Sequence, residues 1–438
     1  MPAAMPKRIG MAAINSLASS AATRRSRPPE RGPPLSPHGD QQRLLEAQRR
    51  NLAHVRQDDS TWAGLAFAPA RDEQGRAYDS NRAERFGVLW ALQYDRRPQD
   101  LPLLRFLLRQ EITRYRETVS WGLAPDLELA GFLVAEHGQL EDVWLHWQAK
   151  EINFDTALGY RTHHLLTAGV EVTLQAVRSS SHPDRARVLH RITDARNPDG
   201  TPHFTDAVVQ EWLDDRRKRF PADPAAESLR TWADHAARLG EREMSRRFLL
   251  AWADQQPRTG DTLNTLQFHL ARLGFLAEAV EIQKEAVAAS EPGWTKASKL
   301  LALIKLQRTS GDFEGAWATL RECAGAMPSD LSWKNAGLWR YFVKEHFLLV
   351  PLARDQATAR TLLDEGDRQM RGVTRLWMDG VLDAAITAIT HVGDSDMHDR
   401  YLAIEEAESR ARGEEIRQAN SGTIDETKSR DRGAGTSS

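Results

Sequence analysis

Three glycines set the frame of this chain. Gly240, Gly274 and Gly311 lie 34 and 37 residues apart, and each closes an apolar run and precedes a segment with charged starting residues. Glycine accepts the left-handed conformation that ends a helix. Five positions on stand Ser245, Ala279 and Ala316, and twelve on from the last two glycines stand Ala286 and Cys323. Small side chains at a fixed distance behind a helix-closing glycine let a second helix lie close against the first. Pro257, Pro292 and Pro328 follow seventeen or eighteen positions after the glycines, where that second helix should stop. A period of this size points to stacked helix hairpins.

The rest of the chain between about 41 and 412 also carries a helical period. In "LPLLRFLLRQEITRY" the residues Leu101, Leu104, Leu108, Ile112 and Tyr115 fall on one face. The "VTRLWMDGVLDAAITAIT" stretch repeats that spacing from Val373 to Ile389. "VEVTLQAV" (170–177) alternates, but Val170, Leu174 and Val177 also fit a helix, which its surroundings favour. Breaks fall at "NPDGTP" (197–202), "FPADPA" (220–225), "QQPRTGD" (255–261), "SEPGW" (290–294) and "MPSDLSW" (327–333). Such Pro, Gly and Asp clusters end one helix and cap the next.

Composition narrows the function classes. At 41% hydrophobic and 27% charged the chain can bury a core. A formal net charge of −2 argues against indiscriminate nucleic-acid binding. One cysteine, Cys323, allows no intrachain disulfide and no thiolate zinc site, which suits a reducing compartment. No run of about 18 apolar residues marks a membrane span. Residues 1–40, with "ATRRSRPPERGPPLSPHGD", are too poor in apolar surface to offset ordering entropy and read as a disordered leader. "KRIGMAAINSLASSAA" has the outline of a signal peptide, but Asn15 and Ser16 interrupt its apolar patch. The stretch 413–438 reads as a disordered polar tail.

The pattern in "LARLGFLAEAVEIQKEAVAASEP" resembles the tetratricopeptide repeat, whose helix pairs of about 34 residues stack into a solenoid. The match extends over 226–329. It departs from that family at Trp252, where a small residue belongs, and at Ala236 and Gln307, where a large one does. A further unit surrounds Gly138, with bulky Val143 and Lys150 at the small positions. The expected architecture is therefore an all-α solenoid of antiparallel helix pairs. Its blocks are a helical region 41–222, repeats in 223–330, and a helical cap region 331–412, between disordered ends.

The resemblance implies a protein- or peptide-binding scaffold whose first helices line a concave groove. Outward positions there are Arg230 and Arg238, then Asn264, Phe268 and Arg272, then Lys305 and Arg308. Five of these seven are cationic, so an acidic partner is expected; an arginine fork holds a carboxylate with two bonds. The same residues also read as a solvated face beside Asp234 and Asp261.

Other clusters carry weaker chemistry. "HVGDSDMHD" holds His391, Asp394, Asp396, His398 and Asp399, a set with metal-ligand character that also reads as a helix end and a cap. It is the basis of an alternative reading as a metal-dependent enzyme. "DDRRKR" (214–219) is the basis of another, a nucleic-acid-linked regulator, and otherwise reads as a solvated helix terminus. Adjacent His163 and His164 point about 100° apart on a helix and read as core or surface residues. Trp144 and Trp147 read as core. No phosphate loop, nucleophile elbow or dinucleotide fingerprint occurs, so no catalytic residue, cofactor or metal is expected. The expected setting is the cytoplasm, with neither a membrane nor a nucleic acid as partner.

Overall fold

The computed structural model describes residues 37–327, 334, 337–373, 375–376 and 378–433. The leader up to residue 36, Pro328 with most of the "MPSDLSW" break, and Trp377 lie outside them. The described chain is all-α, a solenoid-type architecture of antiparallel helix pairs. It divides into two compact units between Gln255 and Gln256.

The N-terminal unit holds α1 (Pro37–Val55), a short antiparallel hairpin of β1 (Pro69–Arg71) and β2 (Ala77–Asp79), then α2 (Arg82–Tyr94), α3 (Leu101–Glu117), α4 (Pro125–Ala135), α5 (Val143–Lys150), α6 (Phe154–Gly159), α7 (Val170–Ser179), α8 (Arg185–Thr193), α9 (Asp206–Arg219), α10 (Leu229–Arg238) and α11 (Arg242–Asp254). The 170–177 stretch is the helix its surroundings favoured, α7. Its centre is α4, in which every residue after Pro125 is buried. Proline at the first helical position suits its fixed φ, and the apolar run behind it sustains the helix.

Burial of α4 takes its acids out of water, and arginines from distant segments receive them. Asp126 is paired with Arg82 at 2.8 Å and with Arg238. Glu128 takes Arg216 at 2.7 Å and Arg219 at 2.8 Å. Glu136, just past the helix, takes Arg217 at 2.7 Å and also Arg96. Burial alone would raise the Asp126 carboxyl, but Arg82, Arg238 and Arg114 together hold it below the usual carboxylate range. A second knot lies on α3. Glu111 binds Arg85 at 2.7 Å and Arg114 at 2.8 Å, and Arg85 also holds Asp79 at the end of the hairpin.

The pair α10–α11 closes onto this unit through Arg238–Asp126, through Arg247–Asp40 at 2.7 Å, and by Trp232 set edge-on against Trp90 at 5.2 Å. The division at 255–256 therefore falls inside the 223–330 block.

The C-terminal unit consists of α12 (Gly260–Leu273), α13 (Leu276–Ala288), α14 (Trp294–Thr309), α15 (Phe313–Ala326), α16 (Gly337–Leu349), α17 (Gln356–Met370), α18 (Val381–Val392) and α19 (Ser395–Gly433). The tail boundary expected at 413 lies inside α19.

The glycine frame is realised in both units. Gly240, Gly274 and Gly311 have φ of 80°, 85° and 82°. After each, the next amide reaches back to close the helix, with Glu241 donating to Ala236, Phe275 to Leu270 and Asp312 to Gln307 at 2.8–2.9 Å. Ala279, Ala316 and Cys323 are fully buried, with Ser245 and Ala286 close behind. Two of these small residues touch the facing helix directly. Ser245 Oγ donates to the Ala233 carbonyl at 2.7 Å, and Cys323 Sγ to the Ala297 carbonyl at 3.7 Å.

Candidate peptide-binding face

In the C-terminal unit, α14 is packed on nearly all sides: Ala297, Leu300, Leu301, Leu303, Ile304, Leu306 and Gln307 are buried. Toward solvent it leaves Trp294, Thr295, Ser298 and Thr309, with Lys299, Ala302 and Lys305 half-buried. On α12 the outward stripe is wider, with Asp261, Asn264, Phe268 and Arg272 exposed at successive turns. The two stripes meet, because Lys299 of α14 donates to the Asn264 side chain. Burial lowers the Lys299 amine, and Asp261 opposes that effect.

Phe268 is the apolar element of this face. It is 52% exposed, with the Arg272 guanidinium 5.5 Å from its ring centre. A cation over an aromatic face is attracted by the ring quadrupole, so the arginine is held over the ring and keeps its outer edge for a ligand. Lys305 and Arg272 form no ion pair among the described residues.

The other expected positions divide differently. Arg308 is bidentate to Glu345 of α16, at 2.8 and 3.3 Å, and belongs to the packing of α14 on α16. Arg230 and Arg238 belong to the N-terminal unit. Arg230 is exposed on α10. Arg238 is committed to Asp126 and lies 5.3 Å from the Phe86 ring centre. Five of the seven positions are thus in one unit; of those five, Arg308 is claimed by Glu345 and Asn264 by Lys299, and Phe268, Arg272 and Lys305 have no acid or lysine partner among the described residues.

The remaining sequence candidates resolve into structural roles. Gly393, with φ of 82°, ends α18. Asp394 then caps α19, accepting from the Met397 amide at 2.9 Å and from Arg360 at 2.6 Å. Among the described residues no three His, Cys, Asp or Glu side chains gather as a metal site. The "DDRRKR" run is a largely exposed helix end, and three of its arginines are engaged there: Arg216 and Arg219 hold Glu128, and Arg217 holds Glu136. His163 and His164 sit on a short 3-10 turn and both pack on Trp212, stacked at 5.5 Å and edge-on at 4.5 Å. Trp147 is buried, and Trp144 stacks on His182 at 3.9 Å. Buried Cys323 has its thiol pushed up to about 12 by desolvation, so it is no thiolate nucleophile at neutral pH.

Two features of the N-terminal unit carried no sequence signal. One is a cleft of about 370 Å³ between α5 and α8, lined by Trp147, Glu151, Arg187, His190, Arg191 and Asp194. Its charges are largely paired, Arg187 with Glu151 and His190 with Asp194 at 2.5 Å. The other is an apolar patch in which Val119, Trp121, Phe154 and Leu158 protrude, the tryptophan 72% exposed. The Gly122 amide donates to Asp155 at 2.7 Å and ties the two segments of the patch together. Its residues are scattered between a loop and a six-residue helix, where no periodicity forms. Among the described residues no helix is long and apolar enough to cross a membrane. Comparison of the sequence with protein-family models and with curated proteins finds no match.

Proposed function

We propose that this chain is a protein- or peptide-binding helical-repeat scaffold of tetratricopeptide-like pairs. It holds an acidic segment along the α12–α14 face of its C-terminal unit, in a reducing, cytoplasmic setting. The observation that carries the reading is Phe268, exposed between Asn264 and Arg272 and one helix away from Lys305. A large aromatic left in water beside Arg272, with Lys305 on the next first helix, fits a ligand with an apolar anchor and flanking carboxylates. The carboxylates would take Arg272 and Lys305 and displace only water.

The test is selection of random linear peptides on the full chain, followed by fluorescence anisotropy with the enriched peptides. Acid-rich sequences are expected, with affinity falling about tenfold for Arg272→Glu and again for Phe268→Ala, and weakening as salt rises. Enrichment of basic peptides, or affinities that ignore both substitutions, would overturn the reading.

A further inference from the structure

A cluster of uncharged rings lies beneath α4. Tyr160 packs against the backbone of α4 at Gly131, where a Cβ would collide with the phenol ring. The Tyr160 hydroxyl meets His146 Nδ1 of α5 at 2.8 Å. Its ring stacks on His164 at 4.0 Å, and the two imidazoles are 5.5 Å apart centre to centre. His164 Nδ1 is 2.8 Å from the Arg161 carbonyl oxygen and therefore carries the proton. Both Nε2 atoms are buried without a hydrogen-bond partner in the protein.

Charges facing the cluster are mostly positive. On α5 the Lys150 amine donates to the carbonyls of Ala157 and Tyr160, at 2.6 and 2.8 Å, and burial lowers it to about 8. From the 161–166 turn come exposed Arg161 and half-buried His163, a further ring that burial keeps uncharged, and from the segment before α9 comes His203. On α9 stands Arg216, and on α7 the residue against the turn is Thr173. The acids are Asp142, clasped by Arg105 at 2.6 Å, and Glu128 of α4, clasped by Arg216 and Arg219. Among the described residues these acids are already paired and leave no free carboxylate to balance an imidazolium. The same surroundings leave nothing to balance a buried metal cation.

We propose that His146 and His164 form an acid-sensitive latch: the segments around α4, α5 and α9 stay closed only while both rings are uncharged, and open when either takes a proton. Closure buries neutral imidazoles; opening lets water solvate the charged ones. Burial lowers His146 to about 3 and moves His164 the same way. The closed form therefore binds fewer protons than the open form. Closure is fully held above the ordinary imidazole value of about 6.5 and weakens steadily as pH falls below it. Between pH 7 and pH 5 each ring favours opening by roughly 25-fold, and the pair by several hundred-fold.

The test is peptide-resolved amide hydrogen exchange of the full chain at pH 7 and pH 5, corrected for intrinsic exchange rates. Peptides from 125–166 and 204–219 are expected to lose protection several hundred-fold at pH 5, while those from α13, 276–288, keep theirs. His164→Phe, which keeps a ring on Tyr160, is expected to remove about 25-fold of that loss, as is His146→Gln. Equal protection at both pH values, or a loss spread evenly over the chain, would overturn the latch. The wild-type comparison decides this even if neither variant folds.

Discussion

The α12–α15 pairs and the surroundings of α4 handle charge in opposite ways, although α16 in the C-terminal unit also brings in the well-shielded pairs Arg308–Glu345 and Arg340–Asp379. In the C-terminal unit, the pairs from α12 to α15 bring helices together with alanine and cysteine side chains, and the ion pair Arg258–Glu285 sits at the surface with both side chains over 40% exposed. In the N-terminal unit, carboxylates as deeply buried as Asp126 and Glu111 are part of the interior. The α12–α15 pairs are held by repeated shape, the interior around α4 by pairings that each occur once. Repeated shape tolerates substitution at the surface and punishes bulk at the contact. Single pairings punish the loss of either partner, because the survivor is left charged and dry.

The largest effect should separate the units most sharply. Glu111→Gln leaves Arg85 and Arg114 without their shared carboxylate, and a loss of about 3–5 kcal/mol is expected by urea unfolding of the full chain, followed in the N-terminal unit. Its counterpart Arg258→Ala should cost under ~1 kcal/mol. Equal losses would erase the distinction. Next, Ala316→Leu, at a fully buried contact of α15 with α14, should cost about 1–3 kcal/mol through overpacking, read as a lower thermal midpoint.

Smaller effects sharpen the role of the glycine frame. Gly274→Ala should cost about 1–2 kcal/mol, because φ of 85° strains any side chain. Gly260→Ala, at the ordinary φ of a first helical turn with open space around it, should be neutral or stabilise by about 0.4–1 kcal/mol. The same sign for both would mean that the frame is not conformational. The smallest change expected is for Trp121→Ser, within about 0.5 kcal/mol, since the indole contributes little to the interior.

Legibility in the sequence follows the same divide. Helix closure at Gly240, Gly274 and Gly311 was readable because a left-handed residue has few substitutes, and the small contacts at Ala279 and Ala316 were readable because they recur. Caps such as Thr259, which accepts from Thr262 at 3.3 Å, follow from local chemistry. The partners of Arg238 and Arg216 were not readable. Asp126 lies 112 positions from Arg238 and Glu128 lies 88 from Arg216, and no period links them. The run at 214–219 therefore looked like a solvated helix end, although three of its arginines hold buried or nearly buried acids. Of the proposed face, Phe268 and Arg272 were legible from the first-helix positions. The capture of Arg308 by Glu345 was not, because it depends on how α16 lies against α14.

The burial of α4 also sets a timetable for synthesis. Its last arginine partner is 112 residues downstream of Asp126, so at about 5–20 residues per second the helix waits roughly 6–22 s before Arg238 is made. Through that interval an apolar segment whose acids still lack their downstream arginines, Glu128 lacking both of its partners for most of it, is available to chaperones or to other nascent chains. The α12–α13 hairpin, whose partners are adjacent in the chain, can close as soon as it emerges.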